Sequence, residues 1–424
     1  MHAFRVLCAP IVLIAAAAPA AEAPAFTDDL GVWPNKACFR KSEPWIAANH
    51  DRIRRIEPRV LVLNFANDVD MDGIRERTEK FIRAQSESTR YHGFKDANAP
   101  ACVEFKVARY VDLRDADLAP EKRHTNSSLL PRKKPAPRDF WCDYHAFFSD
   151  AYAPRLGFRD PANAARFLNL RELIDAGLVH ELWFYAIHEE STGWPGFEAT
   201  ELKQYYDERG QIRPGVYGPA GNGGTRRTLP WTGHSFAVYF FNPHRGTGCQ
   251  IENYGHLLEN YANHDAIGSL TRYFREFAGF DLDSRYGLPM QSFYALGGRE
   301  DDGVSYPNDH TAKVRFDGKE HAIDPYIAIG GNVHFPPGGR HHYDMDSPAA
   351  VKSVIENWRL RNGPDGNDLV KDFTIALAQR YEEFAPDCMG RWVLFWCQCM
   401  PGLDNRCIDD EGKPMKNWWV YLIY

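Results

Sequence analysis

Downstream of residue 23 the chain has no apolar run of the ~18 residues that a membrane-spanning helix needs. It also lacks an excess of basic residues, since 50 lysines and arginines stand against 57 aspartates and glutamates, giving a net charge of -7. Surfaces that bind nucleic acids are positively charged, and no long basic stripe is present here. Neither a membrane nor a nucleic acid is therefore an expected partner. No internal repeat is found.

Residues 1–23 have the features of a secretory signal peptide. A positively charged start (MHAFR) precedes an apolar stretch from Val6 to Ala18, and small residues offer a cleavage site ending at Ala20 or Ala23. Cys8 lies inside the apolar stretch without a lipobox, so a lipid anchor is not expected. The sequence predicts a soluble protein that is secreted or periplasmic.

Eight cysteines follow the predicted signal peptide. An even number in an oxidising compartment predicts up to four disulfides, whose pairing the sequence does not define. The last four could instead form a zinc knot, but their spacing fits no common zinc finger, which favours disulfides. The eight are Cys38, Cys102, Cys142, Cys249, Cys388, Cys397, Cys399 and Cys407.

Apolar runs that are typical of buried strands alternate with segments of helical periodicity. The expected strands are 59–65, 102–113, 178–187 and 236–241. The expected helices are 74–91, 164–176, one from about 250, 266–277, 349–361 and 368–384. The alternation predicts an α/β fold, a mostly parallel or mixed sheet flanked by helices, loop-rich and with a disulfide-rich C-terminal segment.

The domain organisation follows from the same pattern. Residues 24–57 are expected to form an N-terminal extension, and residues 58–424 a single α/β domain. Within it, residues 119–138 are a basic, proline-containing loop, and a Cys/Trp-rich segment begins at residue 385. Loops beyond the carboxyl ends of parallel strands share one edge of the sheet, so those after Phe65, Ile187 and Phe241 are expected to lie together.

The helix that follows the strand 236–241 carries two stripes. Its apolar face is Ile251, Tyr254, Leu258 and Tyr261, and a second stripe is Glu252, His256, Glu259 and Asn263. Glu, His and Glu at steps of four and three residues could hold a metal or perform acid–base chemistry. The alternative is an ordinary polar face in contact with water.

A calcium-loop pattern occupies residues 68–79. Calcium loops take oxygens from positions 1, 3, 5, 7 and 12 with a glycine at position 6, where this chain has Gly73. A strand rather than a helix precedes the pattern, so a lone structural Ca²⁺ site is expected. The alternative is an acidic helix start, because aspartate caps helices. The predicted ligands are Asp68, Asp70, Asp72, Ile74 (through its carbonyl) and Glu79.

A second cluster, residues 330–346, combines three histidines and two aspartates with many glycines and prolines. Together with other segments it resembles a family of secreted bacterial and fungal proteins of unknown chemistry. The family has an NYERG turn, a GHRxE helix and a CGNVHFPPN segment, matched here by Asn242-Pro-His-Arg245-Gly246, Gly255-His256-x-x-Glu259 and Gly331-Asn332-Val333-His334-Phe335-Pro336-Pro337. The chain departs at Gly330, Leu257 and Ala199, where the family has Cys, Arg and Ser.

The resemblance implies that Glu198, Arg245, His256, Glu259, Asn332 and His334 belong together. If they line one cleft, two histidines with one or two carboxylates would make a catalytic zinc site with an open position for water. A metal-free alternative uses Glu198 and Glu259 as an acid–base pair on a glycosidic bond. Arg245 would bind an anionic group of the substrate.

We therefore expect a secreted hydrolase of an extracellular polymer, polysaccharide or cell-wall material, with an optional Zn²⁺. The competing class is a non-catalytic glycan- or surface-binding protein that stacks sugars on Trp194, Phe197 and Trp231. A structural secreted protein is the third alternative.

Overall fold

The computed structural model describes residues 26–40, 42–133, 142–188, 198–220 and 228–424. Within these residues no helix combines the length and the apolar character needed to cross a membrane. The predicted signal peptide, part of the basic loop and most of the loop after Ile187, with Trp194 and Phe197, lie outside the described residues.

The strands in chain order are β1 (Val32–Trp33), β2 (Arg55–Ile56), β3 (Arg59–Asn64), β4 (Lys106–Asp112), β5 (Arg159–Asp160), β6 (Asn163–Phe167), β7 (Glu181–Tyr185), β8 (Glu198–Tyr206), β9 (Ile212–Ala220), β10 (Phe236–Phe241), β11 (Gly303–Asn308), β12 (Thr311–Phe316), β13 (Lys319–Ile323), β14 (Val351–Ser353) and β15 (Lys371–Phe373).

The α-helices are α1 (Ser42–Asn49), α2 (Met71–Ser88), α3 (Ala153–Leu156), α4 (Leu170–Asp175), α5 (Thr247–Asn263), α6 (Gly268–Phe277), α7 (Leu282–Tyr286), α8 (Gly390–Cys399) and α9 (Trp419–Leu422). Short 3₁₀ helices add Tyr144–Phe148, Ile355–Asn357 and Ile375–Tyr381, among others.

The central sheet has six strands in the order β4-β3-β7-β10-β8-β9. Strands β4, β3, β7 and β10 are parallel, and β8 and β9 continue the sheet antiparallel. Strands β7 and β10 are buried along their whole length, which explains their nearly continuous apolar sequences. The expected α/β fold with a mixed sheet flanked by helices is confirmed.

Alternating side chains of β7 and β10 belong to two cores, one on each face of the sheet. Trp183, Tyr239 and Phe241 face the larger core, where Phe81 of α2 and Tyr254 of α5 pack against them. Phe184 stacks on Phe240 in the second core. The α5 helix is therefore fixed on one face of the sheet by its apolar stripe.

Three of the predicted helices are wrong in whole or in part. Residues 164–176 contain strand β6 before α4, and residues 349–361 and 368–384 form the β14–β15 pair with short 3₁₀ helices. In residues 349–361, side-chain hydrogen bonds take the place of helical backbone hydrogen bonds. The Asp368 carboxylate accepts from the backbone N–H groups of Arg359 and Arg361, and both arginines have a positive φ that a helix does not allow.

The structure has one disulfide, Cys249–Cys388, which joins the first turn of α5 to the segment before α8. The other six cysteines of the described residues are buried free thiols, so the expected four disulfides are reduced to one. Cys38 is one of these free thiols, so no disulfide attaches the N-terminal extension through it. Burial raises the pKa of the Cys38 thiol to about 11. In the described residues the last four cysteines do not gather into a zinc knot.

The predicted alternative, a capped helix start, is present within the calcium-loop pattern, and Ca²⁺ binding there stays a prediction. Helix α2 begins at Met71, and the Asp70 carboxylate caps it by accepting the Gly73 N–H at 2.8 Å. A calcium loop must wrap around its ion, whereas Ile74 and Glu79 lie along a straight helix. Asp68 contacts His244 at 2.7 Å instead, and Asp72 is exposed.

Replacing Asp70 by Ala removes this cap, so we expect the free energy of unfolding to fall by roughly 0.5–2 kcal/mol. Urea unfolding of the wild type and the variant measures the difference. Asp72→Ala is the matched control, because Asp72 is exposed in the same helical turn, and it should change little. Added CaCl₂ should leave all three melting temperatures unchanged; a calcium-dependent rise abolished by Asp70→Ala would support the calcium loop.

Candidate metal centre

Helix α5 presents its acidic and imidazole stripe to the protein interior rather than to water. The side chains of Glu252, His256 and Glu259 are 12%, 15% and 8% exposed. The segment 331–343 covers the stripe, so the expected alternative of a solvated polar face is wrong.

The start of helix α5 is held separately. Asp387 accepts from the backbone N–H groups of Gly246 and Gly248, which satisfies donors at the start of the helix.

The loop that carries His334 is held by defined contacts. Gly331 has a φ of 65°, a conformation that favours glycine. The Asn332 side-chain oxygen accepts from the backbone N–H groups of His334 and Phe335 at 3.1 and 3.0 Å. The indole N–H groups of Trp392 and Trp396, both on α8, donate to the carbonyls of Asn332 and Gly331. The C-terminal tryptophans therefore fix the position of the histidine loop.

Gly255 allows this loop to approach α5 closely. A Cβ atom at residue 255 would lie 2.8 Å from Cγ2 of Val333 and 3.1 Å from Cγ1 of Val393. Contacts this short require a neighbour to move. The glycine next to His256 is thus the point where the helix, the histidine loop and α8 meet.

Three side chains converge at this meeting point. The Nε2 atoms of His256 and His334 are 2.9 Å apart, and Oε1 of Glu252 lies 3.1 Å from the His334 nitrogen and 3.9 Å from the His256 nitrogen. Ligands of a tetrahedral zinc ion are separated by roughly 3.3 Å, given Zn–N and Zn–O distances near 2.0–2.2 Å. These distances fit one metal ion bound by Glu252, His256 and His334.

The protonation of His334 follows from its neighbours. The carbonyl of Leu296 can only accept, so His342 donates to it from Nε2, at 2.9 Å. Burial and the nearby His334 lower the pKa of His342, which keeps its Nδ1 atom an acceptor. His334 therefore donates from Nδ1 to His342 at 3.2 Å. Its Nε2 atom faces the site, where without a metal it donates to the acceptor-only Glu252 carboxylate at 3.1 Å and where a metal ion would replace that proton.

Glu259 orients His256 in the same manner. Its carboxylate accepts from Nδ1 of His256 at 3.0 Å, from the backbone N–H of Val333 at 2.8 Å and from the Tyr294 hydroxyl at 2.8 Å. With three donors on it, this carboxylate is suited to position His256. A carboxylate behind a ligating histidine is the usual outer shell of a zinc site.

The charges at the site favour a cation. Burial alone would lower the pKa of His256. The hydrogen bond to Glu259 and the negative charges of Glu259 and Glu252 outweigh burial, so the pKa of His256 is raised. Burial raises the pKa of Glu252, but the hydrogen bond with His334 and the nearby imidazoles outweigh burial and lower it. Without a metal, one proton must separate the two imidazole lone pairs.

The other predicted site residues have different positions. Asn332 orders the backbone of the histidine loop and does not face the cluster. Arg245 is exposed and lies 3.7 Å from the Cys388 sulfur. Its positive charge acts to lower the pKa of the Tyr343 hydroxyl, although burial and Glu252 raise that pKa overall. The backbone of Glu198 pairs with Phe240, but its side chain is not among the described atoms, so the metal-free Glu198/Glu259 pair stays a prediction.

Sequence reasoning placed Glu252 on the stripe but did not include it in the site. Its position four residues before His256 was the signal, because residues at that spacing are neighbours on a helix. His342, Tyr294 and Tyr343 were also missed as site residues. His342 and Tyr343 lie in the histidine-rich cluster, whereas nothing in the local sequence singles out Tyr294.

Comparison of the chain with protein-family models, with curated proteins and with solved structures finds no match. The resemblance to a secreted bacterial and fungal family therefore stays a prediction, and the function has to be argued from the site.

Replacing Gly255 by Ala should push the histidine loop away from α5. We expect zinc affinity to fall by at least about tenfold, as for other supporting residues of zinc sites, and the free energy of unfolding to fall by about 1–3 kcal/mol from overpacking. Calorimetric zinc titration and urea unfolding measure the two effects.

Gly298→Ala is the control for the Gly255 substitution. Gly298 is exposed, and a Cβ there would meet only an ordinary contact at 3.8 Å, so neither property should change. Unchanged zinc affinity in a folded Gly255→Ala protein would show that the close approach does not position His334.

Proposed function

We propose that the protein is a metal-dependent hydrolase, with Zn²⁺ bound by Glu252, His256 and His334, that acts on an extracellular polymer, polysaccharide or cell-wall material. The observation that carries the proposal is the convergence of two imidazole Nε2 atoms and a carboxylate oxygen within 3.9 Å of one another. Both imidazoles are oriented from behind, by Glu259 and by His342.

Hydrolysis is the chemistry that this set of ligands favours. Two histidines and one glutamate leave a fourth position for water, the arrangement of catalytic rather than structural zinc sites. A bound zinc ion makes that water a nucleophile near neutral pH. The ligands are partly exposed, which gives a substrate access, and Arg245 at the rim would bind an anionic group of the substrate.

The extracellular location is supported by the sequence and by one disulfide. The signal-like residues 1–23 and the Cys249–Cys388 disulfide agree with an oxidising compartment. A secreted hydrolase meets polymers rather than metabolites, so polysaccharide and cell-wall material are the substrates to test first.

The first experiment measures metal binding. Protein treated with a chelator is titrated with ZnCl₂ in a calorimeter, and we expect one equivalent to bind. Glu252→Gln, His256→Ala and His334→Ala should each weaken binding by more than about 100-fold, and Glu259→Gln by about 10–100-fold. His310→Ala is the control, since His310 is exposed and pairs with Asp309. Equal zinc binding by all variants would refute the site.

The second experiment measures turnover of dye-labelled polysaccharides and peptidoglycan. Zinc-loaded protein should release product, chelation should stop it and added zinc should restore it. If the protein binds zinc but releases no product, it is not a hydrolase of these polymers. The metal would then be structural, or the protein would be the glycan-binding alternative. A stacked pair, Tyr217 on Trp231 with 4.2 Å between ring centroids, favours that alternative, since Tyr217 is 43% exposed.

Zinc binding should depend on pH in a defined direction. His256 binds a proton with a raised pKa, and zinc must displace that proton. We expect affinity to fall as pH decreases from 8 to 6, and zinc titrations at pH 7 in buffers of different ionisation enthalpy to show proton release. Asn260→Ala, which removes only a hydrogen bond to the His256 carbonyl, should leave the proton release unchanged. Zinc binding without proton release at pH 7 would contradict the assigned protonation.

A further inference from the structure

Tyr343 combines an unusual backbone with an exposed position beside the site. Its φ is 62°, a conformation that a bulky residue rarely adopts, and its side chain is 51% exposed. Residues held in such conformations cluster at functional sites, where the surrounding structure compensates for the strain.

The neighbouring contacts hold Tyr343 in this conformation. Its backbone N–H donates to the His334 carbonyl at 3.2 Å. The next residue, Asp344, is 2% exposed and accepts three hydrogen bonds from Arg340, at 2.9, 2.6 and 2.8 Å. The strained residue is therefore fixed between the His334 carbonyl and the Arg340–Asp344 ion pair, so its position is well defined.

The Tyr343 side chain lies over the metal ligands on the exposed side of the site. Its ring centroid is 4.2 Å from that of His334. Burial and the nearby Glu252 carboxylate raise the pKa of the Tyr343 hydroxyl. The charge of Arg245 also acts on this hydroxyl. A substrate that enters from solvent would meet an O–H donor and a guanidinium.

These groups suit a reaction in which negative charge develops. Glycosidic cleavage builds positive charge on the sugar and needs two available carboxyl groups. Among the described carboxylates of this site, Glu259 is held by three donors and Glu252 faces the imidazoles, so glycosidic cleavage would need Glu198 as the second carboxyl group. Addition of water to a carbonyl instead creates an oxyanion, which positioned hydrogen-bond donors stabilise.

We propose that Tyr343 is a catalytic residue for the hydrolysis of an acyl bond, an ester or amide carried by the polymer, and that its hydroxyl donates to the developing oxyanion. The inference rests on the proposed function and names its substrate class. Water forms a bond to the carbonyl carbon, and the π electrons move to the carbonyl oxygen, which accepts the Tyr343 hydrogen bond. The C=O bond then re-forms, the bond to the alcohol or amine breaks, and the leaving group takes the proton of the water.

The test compares two probes with the same leaving group, p-nitrophenyl acetate and p-nitrophenyl N-acetyl-β-glucosaminide. The zinc-loaded wild type should hydrolyse the ester, in a chelator-sensitive manner, and not the glycoside. Tyr343→Phe should lower kcat on the ester by about 100-fold. KM and zinc affinity should stay within about twofold of the wild type, because the lost hydrogen bond is made only in the transition state.

A binding measurement provides a second readout that a structural role would not change. Methylphosphonate mimics the tetrahedral oxyanion, so the zinc-loaded Tyr343→Phe protein should bind it about 10–100-fold more weakly. Tyr343→Asn should also lose kcat but should raise the melting temperature, because asparagine tolerates positive φ. Tyr110→Phe, at a partly exposed tyrosine of strand β4, is the matched control and should change neither kcat nor methylphosphonate binding.

The outcomes separate the two proposals. A Tyr343→Phe protein with the wild-type kcat, or one that loses zinc affinity and activity in parallel, would overturn the role of Tyr343. Zinc-dependent cleavage of the glycoside but not the ester would overturn the acyl substrate and leave the hydrolase. A wild-type protein that binds no zinc would overturn the proposed function itself.

Discussion

Two imidazole nitrogens and a carboxylate oxygen that point at one another cannot coexist without a cation. Their lone pairs repel, and the partly buried position weakens the screening that water would give. A proton between His256 and His334 satisfies the requirement at the Nε2–Nε2 distance of 2.9 Å. A metal ion would satisfy it for all three groups at once, since both imidazoles already have their other nitrogen engaged.

Much of the surrounding structure serves to keep these three groups together. A helical spacing of four residues places Glu252 beside His256, so that half of the site is fixed by one helix. The other half is His334. Its loop is fixed by hydrogen bonds from the indole N–H groups of Trp392 and Trp396 to loop carbonyls. The Cys249–Cys388 disulfide connects the start of α5 with the segment that leads into α8. The Cys/Trp-rich C-terminal segment thus joins the two halves of the site.

The sequence predicted the parts of the fold that depend on local periodicity. Strands β3, β7 and β10 are long apolar runs, and the stripe of α5 is visible at helical spacing, so the sheet and the helix could be predicted. The pairing of His256 with His334 was implied by the family resemblance and not by periodicity. The segments near residues 355 and 375 could not, because side-chain bonds such as those of Asp368 override their helical pattern. Cysteine number could not distinguish disulfides from thiols, since an even count is compatible with both and free cysteine is also commonly buried.

Glu252 and Glu259 show why residue type and spacing do not define a role. Both lie on one stripe, next to the same histidine, and both are mostly buried. Glu259 accepts from a backbone N–H, a phenol and an imidazole, so its negative charge is fully used in orienting His256. Glu252 has its oxygen among the imidazole nitrogens and only a solvent-facing tyrosine as a further partner. In the proposed site one carboxylate would therefore orient a ligand and the other would act as a ligand, a division set by the loop that packs on the helix and not by the helix itself.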